Sequence, residues 1–441
     1  MYLPGHGRIL AGLDLRLSER FRRLVTEHAH AAHPTAAGLS ALPGAGKAFA
    51  STMGAYRFYR NERVTLPILV EPLRQLGRAA VADSVSDYAL LIHDWSKIDY
   101  ADQRARRDLA QLSNGDDFGY ELYSALLVDA DTGAPCAPME LELRSSAGVH
   151  STRSERLTRR RPHLQQILPT MQAAATWDLG KRPVHVIDRE ADALYYFREW
   201  SKAGELFLVR ADDERKVLWG KRRMSLPNLA AAVRRRGGFR AIDEVEIRGR
   251  RGTRFVAETE VVLDGKGRVH TPQGRKEFRG PPLTLRLVIA EVRDRKGKRL
   301  AQWLLLSNVP ATISAVTIAT WYYWRWLIET FHKLLKSAGQ CVEQWQQETA
   351  PAIAKRLLVA SMACVSVWQL MRQTTPEAIR IQRTLVRLSG RQTKRNKPIT
   401  APALLAGLWV LLAMIDLLES EDIHEIRDLL RQTMPFFVRD G

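Results

Sequence analysis

Three carboxylates and a short cationic set are the groups in this chain that could cut a phosphodiester. Glu329 lies in Trp321–Gly339, WYYWRWLIETFHKLLKSAG, which has no Pro and no internal Gly. The stretch is long enough for about five helical turns. Tyr322, Arg325, Glu329 and Lys336 are spaced so that a period near 3.6 puts them on one face. Trp324, Leu327, Ile328, Phe331, Leu334 and Leu335 form the apolar stripe that docks on a core. Upstream, Asp94 follows the run YALLIH and Asp188 follows PVHVI, so both are expected at strand ends. Phosphodiester cleavage needs an activated water and a stabilised leaving oxygen, which two Mg²⁺ ions roughly 3.5–4 Å apart can supply. Mg²⁺ binds hard oxygen ligands and keeps several waters, so three carboxylates suffice. Mn²⁺ accepts the same oxygen set. Mixed charges also occur on a solvated helix face, and Asp is common at strand exits, so no one of these positions decides alone.

The elements that must position these groups read as follows. Residues 12–32 are expected to be helical, with Leu13, Leu15, Leu17, Phe21 and Leu24 recurring among Arg residues. A connection around Pro43–Gly46 leads to a small helical region carrying Tyr56, Arg57, Phe58, Tyr59, Arg60, Asn61 and Arg63. Cations interleaved with aromatics suit phosphates with base or sugar packing. Strands are expected at 88–93, 119–130 and 137–145, a helix with a very basic start (Arg153, Arg156, Arg159, Arg160, Arg161) at 154–176, and a strand ending at Asp188. A helix over 191–201 and the strand ELFLVRA (205–211) follow. The order βββαβαβ is that of an RNase-H-like core, in which carboxylates at the ends of neighbouring central strands approach each other. From about 214 to 300, short alternating runs such as EVEIRG and LTLRLVIAEV read as an antiparallel β insertion, after which QWLLLSN (302–308) leads back to the Glu329 helix. Beyond Gly339 the chain is helical over 352–372, 401–418 and 421–433, with the basic loop GRQTKRNK at 390–397.

Length and composition bound the partners. A chain of 441 residues divides into two or three domains. A net charge of +19 points to a polyanion, with nucleic acid first. Cys136, Cys341 and Cys364 are scattered, with no C-x-x-C pair, which argues against a disulfide framework or zinc knuckle and for a reducing compartment. No signal peptide is read at the N-terminus. The apolar stretch Ala401–Leu418 contains Asp416 and runs into Glu419 and Glu421, so a buried helix is expected there and no membrane contact.

The pattern Y-x2-R-x3-E-x6-K (Tyr322, Arg325, Glu329, Lys336) resembles the signature of bacterial cut-and-paste DDE transposases of the insertion-sequence-four family. V-I-D-R-E-A-D (186–192) looks like that family's second-aspartate motif. I-H-D-W-S (92–96) fits its D-x-[ST] first site through Asp94 and Ser96, with Asp99 as the competing choice. G-A-Y-R-F-Y-R-N (54–61) is similar to its end-recognition string. The resemblance covers most of the chain. It implies an α/β fold with an RNase-H-like catalytic core (81–339) interrupted by the β insertion. An N-terminal helical end-binding domain (1–80) and a C-terminal helical domain (340–441) that pairs two protomers would flank it. It implies Asp94, Asp188 and Glu329 as catalytic, Mg²⁺-binding residues. Tyr322, Arg325, Lys336 and Arg210 would hold DNA, as would Tyr56, Arg57, Arg60, Asn61 and Arg63. Trp326 and Trp303 would receive a flipped base during hairpin formation. Core packing is the competing role for both tryptophans. Glu190 and Asp192 would support Asp188, and His332 is read as structural. The implied partners are the element's inverted-repeat ends and target duplex DNA, bound by a homodimer in the bacterial cytoplasm. Rival readings are an RNase-H-like nuclease and a transposase-derived DNA-binding regulator without catalysis.

Overall fold

The computed structural model describes residues 10–30, 48–100, 103, 106–113, 115–247, 249–271, 274–391 and 399–433. The expected connection at Pro43–Gly46 and most of the basic loop after Gly390 lie outside the described residues. The chain opens with three helices, α1 (Leu15–His30), α2 (Ala48–Arg60) and α3 (Leu66–Ala82). Six strands follow: β1 (Tyr88–Asp99), β2 (Ala110–Gln111), β3 (Phe118–Asp129), β4 (Pro135–Arg144), β5 (Val149–Ser151) and β6 (Ser154–Thr158). Then come α4 (His163–Ala174), β7 (Arg182–Ile187), α5 (Leu194–Lys202) and β8 (Leu206–Arg210). The stretch read as an insertion contributes β9 (Lys216–Trp219), β10 (Arg222–Ser225), α6 (Leu226–Arg235), β11 (Arg240–Ile247), β12 (Arg250–Leu263), β13 (Gly267–Thr271), β14 (Gly274–Phe278) and β15 (Leu283–Arg293), and the returning strand is β16 (Arg299–Ser307). The rest is helical: α7 (Ala315–Tyr323), α8 (Trp326–Leu335), α9 (Ala350–Arg372), α10 (Pro376–Leu388), α11 (Ala401–Ser420) and α12 (Ile423–Thr433).

The architecture is mixed α/β around one large sheet. Its central order is β16-β8-β7-β1-β3-β4-β5-β6. β1, β7 and β8 are parallel neighbours, and β3 and β4 add antiparallel. Strands covered on both faces read as continuous apolar runs, and Ala89–Ile92 and Leu206–Val209 are buried throughout. The pleat sends alternate residues to two cores. Val184, Val186, Leu206 and Leu208 face the core shared with α1–α3, α7–α9 and α11. Ile187, Phe207 and Val209 face the core shared with α4, α5 and α6. The N- and C-terminal helices thus share one apolar core with the sheet.

Several expectations are corrected. The basic start at 154–158 is a strand, because it pairs with β5 at the sheet edge, and the helix begins only after Pro162. The expected β insertion also carries α6. Its β12 and β15 join the main sheet through β16 and β8 (Leu305↔Arg210), while β13 and β14 form a separate two-stranded sheet. α10 lies in a stretch for which no element was expected. α9 and α11 are long and apolar enough to cross a membrane by length and composition. α9 is nearly all buried inside the protein. α11 departs from the expected buried helix: Ala401, Ala403, Leu404 and Leu405 are buried, but Met414, Ile415, Leu417 and Leu418 are exposed.

Candidate functional site

β1 does not stop at Asp94. It runs on to Asp99, paired with β3 (Asp94↔Ser124 through Asp99↔Gly119). Its pairing with β7, however, ends at His93↔Ile187. Asp94 and Asp188 are therefore the next residues on two parallel neighbours, where the strands part. Beneath them His93 and His185 are buried and joined by a 2.9 Å hydrogen bond, and His93 Nδ1 is 2.7 Å from the Tyr123 hydroxyl. Burial pushes both imidazoles below their ordinary range. This buried pair links β1 and β7 just before the two aspartates.

The third carboxylate arrives from a helix that is broken. The expected single helix over 321–339 is α7 and α8 with a tight turn between them. Arg325, Leu327 and Ile328 donate their backbone N–H groups three residues back, to Tyr322, Trp324 and Arg325. At the break the chain meets the turn after β3. The Trp324 ring packs so closely on Gly133 that a Cβ there would lie 2.3 Å from it. Tyr322, in α7, and Arg325, in the turn, face the aspartates. The Tyr322 hydroxyl donates to Asp188 Oδ1 at 2.9 Å. The Arg325 guanidinium lies 2.9 Å from Glu329, 3.4 Å from Asp188 and 3.7 Å from Asp94. Asp94, Asp188 and Glu329 thus surround one buried guanidinium.

Three residues expected to contact DNA, Tyr322, Arg325 and Lys336, have partners within the protein. Tyr322 and Arg325 are buried and already paired with the carboxylates, so neither offers its polar group outward. Lys336 lies past the end of α8, outside helical backbone geometry. Its ammonium binds the Lys97 carbonyl at 2.7 Å and Glu343 at 2.8 Å. His332 is structural: it is buried against the Ser124 hydroxyl at 3.2 Å, and burial pushes its pKa down to about 3.

Electrostatics separate the two aspartates. Burial raises Asp94 to about 6, opposed by Arg325 and the Trp95 N–H and aided by Glu190 and Glu329. Burial also acts upward on Asp188, but Arg325, the Arg189 N–H, the Tyr322 hydroxyl and Arg210 outweigh it, and its carboxyl lies below the ordinary range. Asp188 Oδ1 also accepts from the Arg189 N–H at 2.7 Å. Arg210, at the end of β8, is half-buried. Trp326 is 48% exposed, with the Arg325 guanidinium 5.2 Å from its ring. Trp303 is half-buried on β16 and packs against the first core. Asp192 binds Arg215, a structural role.

A neighbouring group was not legible in the sequence. His163, at the start of α4, stacks on Trp95 with centroids 4.4 Å apart and planes 8° apart. Its ring nitrogens lie 2.9 Å from Glu121 and 3.2 Å from Glu190. Burial works against the imidazolium, but the two carboxylates win and raise His163 to about 9. Because this folded value lies above the ordinary one, the contribution is complete below about pH 6.5 and is lost as pH rises through about 9. Thermal unfolding followed between pH 6.5 and 9 should show the wild type losing stability that His163→Gln does not lose. Parallel curves would remove the ion pairs from the account.

The N-terminal set is only partly as expected. Phe58 and Tyr59 are buried core residues, whereas Tyr56, Arg57, Arg60 and Arg63 are exposed. Arg60 bonds the Tyr56 hydroxyl and Arg63 pairs with Asp14 at 3.1 Å. Arg57 and Asn61 line a cavity of about 210 Å³ between α1 and α2 with Arg16, Arg20 and Gly54. One Arg20 nitrogen is buried there without a hydrogen-bond partner. A Cβ on Gly54 would lie 2.6 Å from that guanidinium. The i,i+4 spacing of Arg16 and Arg20 was the signal for this cationic face.

Among the described residues, no three His, Cys, Asp or Glu side chains stand close enough together to hold a metal ion as placed. The three carboxylates are spread about the Arg325 guanidinium. Their chemistry, oxygen only, is of the kind that Mg²⁺ and Mn²⁺ accept. No protein-family model matches the chain.

Proposed function

We propose that the protein is a Mg²⁺-dependent cut-and-paste DNA transposase with a catalytic core of RNase-H-like type. One observation carries the reading: Asp94, Asp188 and Glu329, far apart in the chain, converge on a single guanidinium. The run of parallel β8, β7 and β1 followed by antiparallel β3 and β4 supports the core assignment. The net charge of +19 and the three arginines of the α1–α2 cavity support a DNA partner.

In this reading Asp94, Asp188 and Glu329 hold the metal, which supplies water activation and stabilisation of the leaving oxygen. Asp188 is kept ionised by Arg325, Arg189 and Tyr322. Tyr322 and Arg325 orient the carboxylates rather than the DNA. Water would attack the phosphorus at the element boundary, the bond to O3′ would break, and the freed 3′-hydroxyl would attack the opposite strand to close a hairpin. After the hairpin is hydrolysed, the same hydroxyl would attack target DNA. The Arg57 cavity would hold the element's ends. The exposed apolar residues of α11 and α12 support a homodimer in the DNA complex, acting in the bacterial cytoplasm.

The test is labelled DNA carrying the element's own ends, incubated with the protein in Mg²⁺ or EDTA and resolved on a denaturing gel. Metal-dependent nicking at the boundary followed by a hairpin is expected. End binding without cleavage would favour the regulator reading, and cleavage without strand transfer a nuclease. Trp326 adds a prediction. Its open ring suits base stacking, worth about 1–3 kcal/mol per base. Trp326→Ala should nick normally and lose roughly ten-fold or more in hairpin yield; an unchanged yield would rule out the stacking role.

A further inference from the structure

We infer that Arg156, Arg159, Arg160 and Arg161 form a second duplex-DNA surface, the one that takes the target; the inference rests on the transposase reading. These four lie on β6 and the extended segment that follows it, and all are exposed. None makes an ion pair with a described residue. Nearby arginines do: Arg153 binds Glu140 and Glu142, and Arg144 binds Glu121 at 2.8 Å. Glu155 is the lone acid in the run. Four unneutralised guanidinium groups within six residues repel one another, and a polyanion removes that repulsion.

Their position gives the surface a direction. The run ends two residues before His163, which is bonded to Glu190 and stacked on the ring next to Asp94. It therefore starts at the carboxylate cluster and leads out to the sheet edge. The other cationic and aromatic candidates, Arg210 on β8 and Trp303 on β16, lie across β7 and β1 from it. One side of the cluster is thus open to the cleaved end and the other to a second duplex. Six extended residues span at most about 20 Å, the axial length of about six base pairs.

Arginines on an edge strand also guard against edge-to-edge pairing, so the experiment must separate the two roles. Wild type, the fourfold Arg156→Gln/Arg159→Gln/Arg160→Gln/Arg161→Gln variant and the corresponding fourfold Lys variant are compared. Three quantities are read: binding of a duplex lacking the element's ends across a salt series, nicking at the ends, and strand transfer of pre-cut ends into plasmid DNA. The Gln variant should bind the plain duplex at least ten-fold more weakly. Its log–log salt slope should be shallower by up to about 3.6, at about 0.9 per phosphate contact. Strand transfer should fall with it, nicking should stay at wild-type level, and the Lys variant should recover most of the loss. Unchanged duplex affinity would overturn the inference, as would larger species on size exclusion with unchanged strand transfer, the mark of an edge guard. Nicking lost in step with strand transfer would overturn the assignment to target. If wild type never nicks its ends but binds duplex through these arginines, the transposase reading falls and the duplex surface stands.

Discussion

Glu329→Ala should take metal-dependent nicking at the element's ends below detection and leave end binding within about two-fold. The carboxylate contributes little to the fold. It is a third exposed, and its one described partner is Arg325. The guanidinium is buried but the carboxylate is a third exposed, so the loss should sit below the about 3–5 kcal/mol of a fully buried pair, and Ile328 and Phe331, which dock α8, are untouched. Arg325 keeps Asp94 and Asp188 as partners after the truncation. The variant should therefore unfold within a few degrees of wild type. The arginines of the α1–α2 cavity are on other elements, so end affinity should survive. Glu329→Gln keeps the shape and removes the charge, so it should be equally inactive. Gel-shift and cleavage assays on one preparation check both halves. Retained cleavage in either variant would displace Glu329 from the site.

What could be read in advance was set by local pattern. Asp188 was legible because an apolar run buried on both faces ends abruptly at a charged residue, and β7 does end there. Asp94 was found for the same reason, but the strand did not end. From Asp94 to Asp99 it is held by β3 alone, and hydrogen bonds to one neighbour sustain a strand whose polarity looks like a loop. The break between α7 and α8 has no Pro or Gly to announce it. At it Trp324 fits over Gly133, nearly two hundred residues away in the chain. The helical wheel put Tyr322, Arg325, Glu329 and Lys336 on one face; the first three do meet at the carboxylate cluster, whereas Lys336, past the end of α8, pairs with Glu343. The union of the β insertion with the main sheet depends on β15 pairing with β16 and on Leu305 of β16 meeting Arg210, a non-local pairing that alternation cannot express. His163 was missed because its meaning lies in Trp95, Glu121 and Glu190, none of them near it in sequence.

Arg325→Ala should convert the cluster from one organised by the protein into one that depends on added cation. The guanidinium is almost fully buried and touches all three carboxylates. Removing one partner of a buried ion pair costs about 3–5 kcal/mol. Here the carboxylates are 21–35% exposed, so water recovers part of that and the loss should sit below this range. Without the guanidinium, Asp94 loses the strongest influence holding its carboxyl down, and like charge from Glu329 pushes it further up. The variant should therefore unfold several degrees below wild type in EDTA. Millimolar Mg²⁺ or Ca²⁺ should raise its midpoint more than it raises that of wild type, because three carboxylates freed of their internal cation gain more from an external one. Arg325→Lys should fall between the two, since an ammonium keeps the charge but cannot reach three acids at once. Calorimetric scans of the three proteins with and without divalent cation measure this without any DNA. Equal cation shifts in wild type and Arg325→Ala would mean that Asp94, Asp188 and Glu329 do not act as one cation-binding group, whatever the cleavage assay returns.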